Sequence, residues 1–176
     1  MDKCIKSLDL LVDETAEMLL SLLRERGLTV AFAESCTGGL CASRVTAVPG
    51  SSEAVLGGVV SYANSVTSGV LGVREETLSS FGAVSVETAR EMAEGVRRLT
   101  GADICVSVSG IAGPGGGSAE KPVGTVCFGV ASPLGAFSEI QHFDSTLSRG
   151  EIRRLASDHA LTLAANAAKK AGDNNA

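Results

Sequence analysis

The stretch Thr29-Val-Ala-Phe-Ala-Glu-Ser-Cys-Thr-Gly-Gly39 decides how this chain is read. Its first five residues are β-branched or apolar and follow Gly27, the make-up of a short strand buried on both faces. The rest are small, polar or glycine, so they form a turn that hands the strand to a helix over Thr37–Ala47. Such a strand–turn–helix junction aims free helix N–H groups at a crevice beyond the strand end, where an anion can sit. Towards the N-terminus, Leu8, Leu11, Val12, Met18, Leu19, Leu22 and Leu23 recur in helical steps. A first helix is therefore expected from Ile5 to Arg26, closed by Gly27.

In the other direction, Val48-Pro49-Gly50 stops the second helix. A strand over Val55–Tyr62, a helix capped by Asn64 and ending at Leu71, a helix over Val86–Thr100 capped by Ser85, and a strand over Ile104–Ser109 follow. The runs Thr125–Ala131 and Ala136–Phe143 are joined by Ser132-Pro-Leu-Gly135, a turn so short that only antiparallel neighbours can use it. A last helix is expected from Arg149 to Lys170, then a frayed tail over residues 172–176. The expectation is one domain, residues 1–171: a three-layer α/β/α sandwich on a mixed sheet of about five strands, one of them antiparallel.

Composition narrows the function. The 176 residues fit a single domain with a full core. A net charge of −5, no Trp and one Tyr leave neither a basic stripe for a polyphosphate backbone nor platforms for stacking bases, so a nucleic-acid partner is excluded. No apolar run is long enough to span a bilayer, so no membrane partner is expected. Cys4, Cys36, Cys41, Cys105 and Cys127 form no CxxC pair, which suits reduced thiols in a cytoplasm rather than disulfides or a metal site.

Four places can carry chemistry. Ala33–Gly39 is the turn described above; Gly110–Gly117 holds five glycines in eight residues and follows a core strand, as a ligand-binding loop does. Pro49-Gly50-Ser51-Ser52-Glu53 and Ser61-Tyr62-Ala63-Asn64 put hydroxyls at both ends of the second strand. Arg149, Arg153 and Arg154 open the last helix and suit a phosphate. His142 and His159 lack spaced partners and read as structural, and Cys36 reads as packing, with a thiol nucleophile as its alternative.

Taken in order, AESCTGG (33–39), PGSS (49–52), SYAN (61–64), GAVS (82–85), SGIAGPGGGS (109–118) and KPVGTV (121–126) resemble the CinA C-terminal domain family, from about Thr29 to Ala168. The resemblance implies a nicotinamide mononucleotide amidase that yields nicotinate mononucleotide and ammonia, uses no metal or organic cofactor, and is a homo-oligomer, often a dimer. It implies Ser52 as nucleophile, Ser35 and Tyr62 in the pocket, and Arg149 and Arg153 on the nucleotide phosphate. Gly113, Gly115 and Gly116 would close over the ligand, with Thr37, Gly38, Asn64 and Ser109 completing the binding set. One position departs: the family's lysine, five residues after the tyrosine, is Thr67 here, a hydroxyl far too weakly basic to take a serine proton. Lys121 and Glu34 are the substitutes the sequence offers, and a catalytically degenerate nucleotide-binding or protein-interaction module is the alternative function.

Overall fold

A computed structural model describes residues 13–173. The expected helical turns before Asp13 and the tail residues 174–176 lie outside the described residues. Helix α1 (Glu14–Arg26) starts where the Asp13 carboxylate accepts the Ala16 N–H at 3.2 Å and stops at left-handed Gly27. There follow β1 (Val30–Glu34), α2 (Leu40–Thr46), a 3₁₀ turn at Ser51–Glu53, β2 (Val55–Val60), α3 (Asn64–Leu71), α4 (Glu75–Phe81) and α5 (Val86–Thr100). The chain closes with β3 (Ile104–Gly110), β4 (Thr125–Ser132), β5 (Gly135–His142) and α6 (Arg149–Asp173).

The five strands lie in the order β2-β1-β3-β4-β5. β2, β1 and β3 are parallel, and β4 pairs antiparallel with both β3 and β5, so β4 alone runs against the others. Alternate residues of β1 and β3 feed two cores. Val30, Phe32, Ile104, Val106 and Val108 pack under α1, α2 and α6, whereas Ala31, Ala33 and Cys105 meet Met92, Ala93 and Val96 of α5. This is a three-layer α/β/α sandwich with helices on both faces. Gly95 of α5 sits against the Leu71 carbonyl, where any Cβ would overlap the oxygen, and so lets α5 close onto the end of α3. No helix among the described residues is long and apolar enough to cross a membrane.

Local differences from expectation have physical reasons. α2 begins at Leu40 instead of Thr37, because Gly38 and Gly39 take φ of 62° and 95° in a turn closed by Gly38 N–H on Ser35 O. Ala63, not Asn64, occupies the N-cap of α3, and Asn64 is its first helical residue. α4 was not expected, since seven residues that bury only Thr77 show no apolar stripe. Gly172 and Asp173 belong to α6 rather than to a tail.

Buried Arg44 of α2 joins three helices. Its guanidinium donates to both Asp13 oxygens, to Ser157 Oγ and to Asp158 Oδ1. Hydrogen bonding to Arg44 is the main reason the Asp13 carboxyl is held below its usual range. His159 lies edge-on to Phe128, ring centroids 4.7 Å apart, with Nε2 at 2.6 Å from the Glu139 carboxylate, a structural position.

Candidate active site

Parallel pairing puts the C-terminal ends of β1, β2 and β3 at one sheet edge. The turn after β1, the turn after β2, the loop after β3 and the start of α6 converge there on a cavity of about 230 Å³. Its lining comprises Ser35, Cys36, Tyr62, Gly110, Ile111, Ala112, Gly113, Gly115, Gly116 and Arg149. Ser35 is the first residue beyond β1, fixed by its N–H on Val108 O at 2.9 Å. Arg149 spans the rim: Nη1 donates to Gly113 O at 2.7 Å and Nη2 to the Tyr62 hydroxyl at 3.1 Å. Gly113 is required there, because its φ is +73° and a Cβ would come within 2.7 Å of Val123 Cγ1. A guanidinium offers five N–H donors, so Arg149 retains donors for an anion at the mouth.

Behind the lining stands a second layer. Glu34, 1% exposed, accepts from Gly39 N–H at 3.0 Å and Cys41 N–H at 3.1 Å on Oε2, and from Ala42 N–H at 2.9 Å on Oε1. It serves as the missing cap of α2, and both its oxygens are occupied, so it does not substitute as a base. Arg153 donates from Nε to Cys36 O at 3.1 Å and from Nη2 to Thr37 O at 2.7 Å, bracing the turn that presents Ser35. Burial, with a smaller push from Glu34, raises the Cys36 thiol to about 12 despite Arg149 and Arg153. It is neutral near pH 7, which disfavours a thiol nucleophile. The lining residues include no carboxylate, imidazole or amine.

The structure brings Ser35, Tyr62, Gly113, Gly115, Gly116 and Arg149 together and leaves other expected residues elsewhere. Ser52 is exposed on the 3₁₀ turn before β2, at the opposite sheet edge. The six residues of β2, at about 3.3 Å each, separate it from the cavity by about 20 Å. That corrects its expected place in the pocket. Thr67 is buried in α3 under the turn that carries Tyr62, its hydroxyl shared between Ser61 O at 3.3 Å and Ala63 O at 3.2 Å. Lys121 Nζ donates to Phe81 O at 2.8 Å and Val84 O at 2.7 Å, which pins it to the α4–α5 turn and away from the lining.

Ser109 Oγ donates to Ala83 O at 2.6 Å, beside that same turn. Thr37 is buried and Gly38 lies against Arg153 Nη2, so both belong to the brace rather than the wall. Asn64 lines a separate groove with Ser65, Ser68 and Glu75. Sequence reasoning reads Cys36 as packing, with a thiol nucleophile as its alternative, and gives Gly110, Ile111 and Ala112 no individual role although it reads their loop as ligand-binding. The position of the glycine loop directly after β3 is the one signal for those three. Among the described residues no His, Cys, Asp and Glu group is arranged to hold a metal ion.

Residues 12–168 match the model of the CinA C-terminal domain. A CinA-like protein of Desulfotalea psychrophila is 47% identical over 151 residues, 86% of this chain and 36% of that protein. A CinA-like protein of Thermotoga maritima is 58% identical over 114 residues, 65% of this chain and 28% of that protein. The chain thus matches about a third or less of the length of these curated relatives. The crystal structure of the competence/damage inducible protein CihA from Agrobacterium tumefaciens superposes with a TM-score of 0.83 at 43% identity, covering 87% of this chain and 94% of that one. A CinA superfamily protein from Klebsiella pneumoniae gives 0.84 at 32% identity, covering 89% and 97%. With the family model matched over residues 12–168 and the fold superposing on these solved structures, the chain belongs to the CinA C-terminal domain family.

Proposed function

We propose that the cavity is the carboxamide site of a nicotinamide mononucleotide amidohydrolase, with Ser35 in place of Ser52 as the attacking hydroxyl. The convergence of Ser35, Tyr62 and Arg149 on one cavity carries this reading. Ser35 Oγ adds to the carboxamide carbon, backbone N–H groups of the surrounding turns meet the developing oxyanion, and the C–N bond breaks as the serine proton passes to the departing nitrogen, which leaves as ammonia. Water then cleaves the acyl-serine to give the carboxylate and restore Ser35. Arg149 takes the phosphate of the mononucleotide. Arg153, whose Nε and Nη2 are held by carbonyls, is a positioning residue for the Ser35 turn. The protein works as a dimer in a reducing cytoplasm, a setting that suits the free, buried Cys36, Cys41, Cys105 and Cys127. Light scattering of the purified protein tests the dimer.

Turnover is slow, because no lining group takes the Ser35 proton and the Thr67 hydroxyl donates to two carbonyls. The same observation favours a second reading, a nucleotide-binding module without turnover. Calorimetric binding of nicotinamide mononucleotide, beside ammonia release by wild type, Thr67→Lys and Ser35→Ala, separates the two. Turnover that Thr67→Lys raises and Ser35→Ala abolishes supports the amidase. Binding with no turnover in wild type or Thr67→Lys supports the module, and absence of binding overturns both.

A further inference from the structure

A second cavity, of about 460 Å³, opens at the sheet edge opposite Ser35, between the C-terminus of α5 and the β4–β5 hairpin. Its lining combines small residues, among them Ala102, Ala131 and Ala136, with one carboxylate, Glu94, and two cations, Arg97 and Arg98. Arg98 is held by Nη2 on Leu71 O at 3.1 Å. Arg97 differs: its Nε is buried and has no hydrogen-bond partner among the described residues. The carboxylates are engaged, Glu94 of the lining with Arg90 at 3.2 Å and Asp103 with Thr29 N–H and hydroxyl at 2.9 and 2.7 Å. The adjacent Cys105 thiol is pushed up to about 11 by burial and stays neutral. Complementing the helix dipole accounts for basic residues in the last turn of α5, but a solvated side chain would do that equally well. It does not account for a guanidinium whose Nε–H is buried without an acceptor among the described residues, which is a costly arrangement.

We propose that this cavity binds a small molecule that presents a carboxylate or phosphate oxygen to Arg97 and lays an apolar body against Ala102, Ala131 and Ala136. Because Nε is buried, the Arg97 guanidinium must turn toward the cavity to be reached; an oxyanion there gives it a charge-assisted bond and matches its planar fork. The volume is in the range of small-molecule sites, roughly 300–1,000 Å³. The site is independent of the chemistry assigned to Ser35.

The test is an NMR titration of the arginine Nε–Hε signals of the intact protein, with inorganic phosphate in one arm and benzoate in the other. A saturable shift of the Arg97 signal is expected, and the tighter arm tells phosphate from carboxylate ligands. Read from the Nε–Hε signal of Arg98, which lines the same cavity and is kept in both variants, Arg97→Met and Arg97→Lys each weaken that binding by about ten- to a hundredfold. Arg149→Met leaves it intact, and Arg97→Met leaves mononucleotide turnover unchanged. The proposal is overturned if neither anion gives a saturable Arg97 shift, or if Arg97→Met, with an unchanged melting profile, binds as tightly as wild type.

Discussion

The turn after β1 and the turn before β2 use the same residue types to opposite ends. Each sets a serine beside a glutamate and receives an arginine from a distant helix: Ser35, Glu34 and Arg153 in one, Ser52, Glu53 and Arg24 in the other. In the first, Glu34 is buried on three backbone amides, so the carboxylate organises the start of α2. In the second, Glu53 pairs with Arg24 at 2.9 and 3.1 Å, with side chains 59% and 46% exposed. A water-facing pair of that kind fixes little. Burial decides which turn is organised, and strand direction decides which one faces the cavity.

The sharpest way to break the comparison is to exchange the serines' fates. In a Thr67→Lys background, Ser35→Ala is expected to lower ammonia release by about 10³-fold or more, and Ser52→Ala to leave it unchanged. If Ser52→Ala abolishes release, the assignment of the two turns is reversed. Next, Thr67→Lys alone raises turnover over wild type by about 10²–10⁴-fold, the usual range for a general base. Single-turnover kinetics reads this directly.

Arg44 lies on the helix that joins the two turns. Arg44→Met is expected to cost about 3 kcal/mol in urea melts, since it strands partly buried carboxylates. Asp13 adds a pH signature. Because its native pKa is lowered, its stabilising contribution is complete above the ordinary value of 3.8 and is lost as pH falls through the lower native value. Arg44→Met should flatten this acid-side loss, and an unflattened profile would show that Asp13 owes its shift to another partner. Smallest are the glutamates: Glu34→Gln costs about 2 kcal/mol, Glu53→Gln less than about 1 kcal/mol. Equal thermal shifts for the two would remove the distinction between the turns.

Much of the fold was legible because both-face burial leaves a plain trace. Thr29–Ala33 is an unbroken run without the polar alternation of a half-exposed strand, and Ser132–Gly135 is too short for anything but a hairpin; Ile104–Ser109 is less plain, since Val106–Ser109 alternates valine with serine although β3 is buried almost throughout. α4 left no such trace, because it buries little. The misplacement of Ser52 was avoidable from strand direction alone: in a βαβ unit, a turn that precedes the second strand cannot share an edge with the turn that follows the first. Lys121 and Arg153 are different. Lys121 Nζ is captured by carbonyls 40 and 37 residues away, and Arg153 by carbonyls 117 and 116 away. No local pattern encodes contacts of that range.

Helix α6 meets the cavity at Arg149, the Ser35 turn at Arg153 and Arg44 at Ser157, three positions spaced four residues apart. An α-helix turns 100° with each residue, so these partners lie along one stripe. A single-residue insertion between Arg149 and Ser157 would preserve every side chain and still rotate one end of the stripe off its partners. Substitutions on the outward face are therefore borne far more easily than any insertion or deletion: along this helix, sequence can drift while length cannot.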